Sequence, residues 1–237
     1  MTTDPLLLTG EVDAATARLL ATAETLDTAA ITAAAPLPGW TRGHVLTHLA
    51  RNADGLVNLL TAARTGERIP MYASPAARTA DIEAGAARPP AAHLDDLRRS
   101  HERFAAAVAA MPAAAWAATV QTHRGPLVAA RLVWTRLREV EVHHVDLGAG
   151  YTPADWPEAF GHRLLHEVAA DLAARPDAPA MVLRFDGSRH ELPIGTAPAP
   201  TITGPAPALA AWLIGRADGT ELTVEPDGPL PTPPEWI

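Results

Sequence analysis

138-REVEVHHVDLG-148 places five proton- or metal-binding groups, Glu139, Glu141, His143, His144 and Asp146, among valines and a leucine. On a helix, residues four apart share a face to within about 40°. Glu139 and His143 have that spacing, whereas the neighbours His143 and His144 point about 100° apart. Leu132, Val133, Leu137 and Val140 mark a buried stripe, with Glu139 and His143 at its border. The pair reads either as a surface hydrogen bond or as half of a metal site. Taken alone, the segment favours the surface pair, which is common on helices.

A partner for the pair comes from 40-WTRGHVLTHLA-50, where His44 and His48 are again four apart. His48 sits among Val45, Leu46 and Leu49, so it points inward or nearly so. A lone inward histidine is more often a satisfied core residue than a ligand. Facing a bundle interior that also holds Glu139 and His143, it completes a set of two histidines and one carboxylate. That is a donor set of catalytic zinc, with a fourth position open. Spacing does not choose between His44 and His48, or between His143 and His144.

These segments sit in a helical frame. Residues 5–33 show helical recurrence and end at 36-PLPGW-40; Thr41 reads as the N-cap of a second helix over 42–64. A third helix spans roughly 91–110, and the opening motif lies on a fourth from about 127 to 147. Segment 65–90, rich in Pro and Gly, reads as a long irregular connection of the kind that shapes sites. Its Arg78 and Arg88 could bind an anionic substrate, but solvated loop arginines are the default.

After Gly148 the pattern changes. A helix over 156–174 has Pro157 in its first turn. 181-MVLRFDG-187 and 189-RHELPIG-195 read as two strands joined at Asp186-Gly187, a hairpin signal. Residues 205–215 read as helix and 220–226 as strand. The expected class is α+β: an antiparallel four-helix bundle over residues 1–150, then a helix and a small α/β domain over 151–237.

Composition narrows the chemistry. The 237 residues are 48% hydrophobic, enough for a sizeable core, and carry a net charge of −8. No arginine run suggests a nucleic-acid arm or a membrane patch, and no signal peptide or membrane span is evident. The expectation is a cytoplasmic monomer or homodimer acting on small molecules. With no cysteine, disulfides, thiolate zinc sites, Cys nucleophiles and CxxC redox chemistry are all excluded. A metal must be held by His and carboxylate, and thiol chemistry needs a thiol from outside.

The segments 40–50 and 138–148 resemble the two metal-binding segments of the mycothiol-dependent maleylpyruvate isomerases, part of the wider DinB-like family of zinc-binding helical bundles. In that pattern a His lies eight residues after the Trp of a W-[TS] helix start. A Glu and a His lie four apart in R-E-x-x-x-H-x-x-D-L. The resemblance implies His48, Glu139 and His143 as metal ligands, with Asp146 and Leu147 completing the second motif. A W-L-x-G-R signature in the C-terminal domain matches 212-WLIGR-216 and implies that Arg216 is catalytic and cofactor-binding, reaching toward the metal site. From the residues alone, Arg216 after Gly215 reads as a helix end complementing the dipole. Asp146 reads as orienting a ligand histidine or as a helix-end carboxylate. Glu141 departs from the apolar or aromatic residue of the pattern, and His144 is an extra potential ligand.

The activity implied by the resemblance follows from an open metal position. Zinc, or another divalent metal, would bind a low-molecular-weight thiol as thiolate; mycothiol is the family default and ergothioneine another candidate. The thiolate adds to the cis double bond of maleylpyruvate, the resulting single bond rotates, and elimination leaves fumarylpyruvate. Arg216 would hold a carboxylate and stabilise the enolate. The alternative on the same site is a thiol S-transferase acting on electrophiles. A non-enzymatic reading, an apolar ligand in the tail domain beside a structural bundle, leaves the ligand spacing unexplained.

Overall fold

Thr41 begins the helix on which half of the site depends. Its Oγ1 faces the backbone N–H of His44, and Nδ1 of His44 accepts from the backbone N–H of Thr41 at 3.1 Å. This reciprocal cap satisfies donors that a helix start otherwise leaves open. The computed structural model describes residues 4–122, 125–196 and 198–236. Two compact units divide between Tyr151 and Thr152.

In the first unit four long helices, α1 (Thr9–Glu24), α3 (Arg42–Thr65), α5 (Pro90–Ala109) and α6 (Leu132–Val145), form a ring in which each packs on two others. Between them lie the short α2 (Thr28–Thr32) and α4 (Pro75–Ala86). Leu19, Leu46, Leu49, Leu56, Leu59, Leu97, Leu132 and Leu137 are at most 1% exposed and form the bundle core. Burying each such side chain contributes about 1.5–3 kcal/mol. The expected four-helix bundle followed by a small α/β domain is the architecture found.

Three local expectations for this unit need correction. The first concerns segment 65–90, which is not a continuous loop. Ser74 Oγ accepts from Ala77 N at 3.0 Å, Pro75 occupies the first turn, and the alanine-rich run to Ala86 is helical. Its apparent breakers start the helix and permit close packing: a Cβ on Gly85 would meet Thr47 Cγ2 at 2.4 Å.

The second concerns the helix carrying the opening motif, which begins at Leu132 rather than near 127. Residues before it form a hairpin, β1 (Thr119–Thr122) with β2 (Gly125–Val128), and a 3-10 turn over Ala129–Arg131. Gly125 opens β2 with φ 113°, which glycine permits, and Val128 suits a strand.

The third is the first helical segment, which breaks into a 3-10 turn, α1 and α2. Asp27 starts α2, its carboxylate accepting from Ala30 N at 2.8 Å.

In the second unit, α7 (Glu158–Ala173) and α8 (Ala206–Leu213) pack on each other and on a four-stranded sheet. Its order is β4 (Leu192–Ile194), β3 (Met181–Phe185), β5 (Thr201–Gly204), β6 (Thr223–Glu225). β5 runs parallel to β3, and the other pairs are antiparallel. β3 and β4 pair as expected, but with Leu183 opposite Leu192, so their connection is longer than a two-residue turn at Asp186-Gly187. β5 was not expected: three β-branched residues between Pro200 and Pro205 are too short a run to separate from loop. Phe160, Leu164, Leu165, Val168, Met181, Leu183, Ile202 and Leu209 are fully buried between helices and sheet.

Candidate metal centre

Arg136 ties α3 to α6 at the level of the site. It is fully buried, and its Nη1 donates to Leu49 O at 2.8 Å and to Asn52 Oδ1 at 3.0 Å. Burial lowers its pKa to about 10, and the charge of Glu139 opposes that shift, so it remains a cation at neutral pH. The end of α6 is fixed by Arg42, which donates through Nε to Leu147 O at 2.7 Å and through Nη2 to Gly148 O at 3.0 Å. These contacts set the register of α6 against α3 and bring the two sequence motifs face to face.

His48, Glu139 and His143 converge. Each offers a ligand atom, and the three atoms lie within 4.8 Å of one another. Glu139 Oε2 is 3.1 Å from His48 Nε2 and 3.5 Å from His143 Nε2. Neighbouring donors of a tetrahedral zinc at its usual bond lengths stand about 3.3 Å apart, so the spacing fits such an ion. His143 Nδ1 lies 2.8 Å from Asp146 Oδ2, which directs the other ring nitrogen to the cluster. Trp40 packs its ring edge-on to His48 with centroids 5.6 Å apart, closing one side of that imidazole.

The electrostatics follow from these contacts. Burial pushes Glu139 up, but hydrogen bonds and charges from His143 and His48 reverse this and hold it well below the usual carboxylate range. His48 is lowered to about 4, by burial first and then by the charge of His143, so it is neutral at pH 7. His143 is opposed by burial but raised to about 9 by its bonds to Asp146 and Glu139. A neutral imidazole, an ionised carboxylate and an imidazole with a carboxylate behind it form a donor set suited to a divalent cation.

The two histidines that spacing left in competition have other partners. His44 serves the Thr41 cap, and its Nε2 lies 3.2 Å from Glu83 Oε2. His144 is buried against α1, with Nε2 2.7 Å from Thr22 Oγ1 and its ring stacked on Tyr151 at 3.7 Å. Glu141 is also structural: Arg18 Nη2 lies 2.5 Å from Oε1, and the Tyr151 hydroxyl donates to Oε2 at 2.6 Å. A buried carboxylate with two donors occupies a position where an apolar or aromatic side chain was expected.

The family models then account for the chain nearly end to end. The family described as "Mycothiol maleylpyruvate isomerase N-terminal domain" matches residues 12–148, and "MDMPI C-terminal domain" matches residues 155–235. The chain belongs to the mycothiol maleylpyruvate isomerase family. A solved structure, described as the crystal structure of the mycothiol-dependent maleylpyruvate isomerase, is 30% identical, with a TM-score of 0.91 over 100% of both chains. The structure of a histidine-to-alanine mutant of that enzyme matches with the same identity, TM-score and coverage. Among curated proteins no sequence matches.

The segment 212-WLIGR-216 lies in the second unit. Gly215 takes φ 71° after α8, its N–H donates to Trp212 O at 3.1 Å, and Arg216 N donates to Ala211 O at 2.8 Å. This is a glycine helix terminator. Arg216 Nη1 donates to Ile214 O at 2.9 Å, and its side chain lines an open groove with Trp212, Pro231 and Trp236. Two further residues stand beside the cluster: Tyr72, which drew no reading from the sequence, and Arg78, which was expected to be a solvated loop arginine. Arg78 Nη2 lies 3.0 Å from His48 Nδ1, and its guanidinium stands 5.7 Å from the Tyr72 ring centre. The signal available was the Ser74-Pro75 helix start, which carries Arg78 on an ordered helix. Among the described residues no helix is long and apolar enough to cross a membrane.

Proposed function

We propose that the chain is a thiol-dependent cis–trans isomerase converting maleylpyruvate to fumarylpyruvate, with zinc as its metal and mycothiol as its thiol. The observation that carries this reading is the convergence of His48, Glu139 and His143, in a chain whose family is named for that activity. A divalent ion held there supplies the positive charge that lets a small thiol act as thiolate at neutral pH. The chain has no cysteine of its own for that role.

The residues divide the remaining work. Glu139 offers an anionic oxygen, and two neutral imidazoles complete the set with one coordination position open. Asp146 fixes the ring orientation of His143. Trp40 keeps water from one face of His48. Arg216, assigned by the family motif, is the candidate for holding a carboxylate and stabilising the enolate that forms on thiolate addition.

The test is an absorbance assay of maleylpyruvate conversion by zinc-loaded protein with mycothiol, ergothioneine, glutathione or no thiol. Turnover only in the presence of a thiol is expected, and it names the cofactor. Absence of turnover with every thiol, in protein that holds zinc, would exclude the isomerase and leave S-transfer to an electrophile. Arg216→Ala should abolish turnover while zinc content is unchanged.

A further inference from the structure

Two arginines of the 65–90 segment are distinguished by their partners. Arg88 is committed: Nη2 donates to Asp96 Oδ2 at 2.8 Å and Nε to Gly85 O at 3.1 Å. Arg18, Arg51, Arg98 and Arg103 of the same unit also pair with carboxylates. Arg78 does not. Half-buried on α4, it makes no ion pair with a carboxylate among the described residues, and its Nη2 is directed to His48 Nδ1 at 3.0 Å.

A guanidinium has donors and no acceptor. Nδ1 of His48 is therefore the acceptor in this contact, and the ring proton of the neutral imidazole resides on Nε2, 3.1 Å from Glu139 Oε2. Ligation of a metal through Nε2 needs the lone pair at that atom, which moves the ring proton to Nδ1. There it would oppose the Arg78 donor, hydrogen against hydrogen. His48 can accept from Arg78 or ligate through Nε2, but it cannot do both.

We propose that Arg78 is a carboxylate-binding residue of this centre, released from His48 when that imidazole ligates the metal and then able to receive a carboxylate of the reacting acid. The inference rests on the reading of the site as one for a dicarboxylate substrate. The planar fork of arginine matches a carboxylate through two parallel hydrogen bonds. The Tyr72 ring beside the guanidinium keeps the cation close to the cluster once Nδ1 is released. In a chain of net charge −8, a site for a dianion must provide its own positive potential, and Arg78 stands beside a ligand residue.

The experiment uses the full-length zinc-loaded protein and maleate, a cis-dicarboxylate lacking the keto group. Calorimetric titration of maleate is compared between wild type, Arg78→Met and Arg78→Gln, with zinc affinity measured in parallel by chelator competition. Loss of the charged fork should weaken maleate binding by about tenfold or more. Zinc affinity should be unchanged or tighter, since the competing donor is gone. Equal maleate affinity in all three proteins, or no binding to wild type, overturns the proposal. So does weaker zinc retention in the variants, which would make Arg78 a support of His48. The Gln variant keeps a polar side chain and decides the matter if the Met variant does not fold. Arg78-dependent maleate binding without thiol-dependent turnover of maleylpyruvate would reject the proposed function and leave this inference standing. Turnover with a KM unaltered in both variants would reject this inference alone.

Discussion

Nδ1 of His143 lies 2.8 Å from Oδ2 of Asp146, and this contact decides which nitrogen of His143 faces Glu139. The carboxylate is itself almost fully buried, so it holds the ring in one orientation and raises the basicity of Nε2. Asp146→Ala should weaken metal affinity by about 10–100-fold. Asp146→Asn, which keeps an acceptor oxygen, should have a smaller effect. Chelator competition on the folded variants measures both, and an unaltered affinity would reduce Asp146 to a helix-end residue.

His143 and His144 are adjacent yet face different surroundings, so their replacement should separate metal binding from stability. His143→Ala should abolish metal binding and leave the bundle folded. His144→Ala should keep the metal but destabilise the fold by about 2–4 kcal/mol, since a buried ring stacked on Tyr151 is lost. Metal content and urea denaturation of the two proteins form the comparison. Equal metal loss in both would undo the ligand assignment.

The shifts at the centre predict a proton coupled to metal uptake. In protein stripped of metal, His143 has its pKa raised to about 9. Its contribution to stability is fully present below the unfolded value and lost as pH rises through about 9. His48, lowered to about 4, has the opposite sign: its contribution is present above the unfolded value and lost as pH falls toward 4. At pH 7 the metal must therefore displace a proton from His143. Metal binding should release about one proton there, and affinity should rise about tenfold per pH unit from 7 toward 9. Calorimetry in buffers of different ionisation heat measures the proton, and an affinity independent of pH over that range would contradict the assignment.

Gly43 of α3 lies close against α4: an added Cβ would lie 1.9 Å from Ala86 O. The obstacle is backbone, which cannot rotate away as a side chain can. Gly43→Ala should cost about 2–4 kcal/mol by forcing α4 off α3. A thermal melt of the purified variant reads the loss. An unchanged midpoint would show that α4 yields without cost.

Much of this protein was legible because the relevant signals are local. Thr41 at the helix start, the four-residue separation of Glu139 and His143, and the Leu132, Val133, Leu137, Val140 stripe each report backbone periodicity. They were enough for the bundle, the α/β tail and a short set of candidate ligands. The absence of cysteine was likewise decisive by itself, because no folding can create a thiolate. Where the sequence misled, nearby residues have two structural uses. Pro75 and Gly85 looked like breakers in a loop but serve as a helix start and a packing contact in α4.

The tertiary structure decided what spacing could not. His44 and His48 lie four apart on one helix, and His143 and His144 are neighbours on another. Only the docking of α3 against α6 brings His48 to Glu139, while α1 and Tyr151 enclose His144. The same packing carries Arg78 to His48 from 30 residues away. Periodicity fixes the direction in which a side chain leaves its own helix. Its partner depends on which other helix fills that space, and that is set by burial of the whole core.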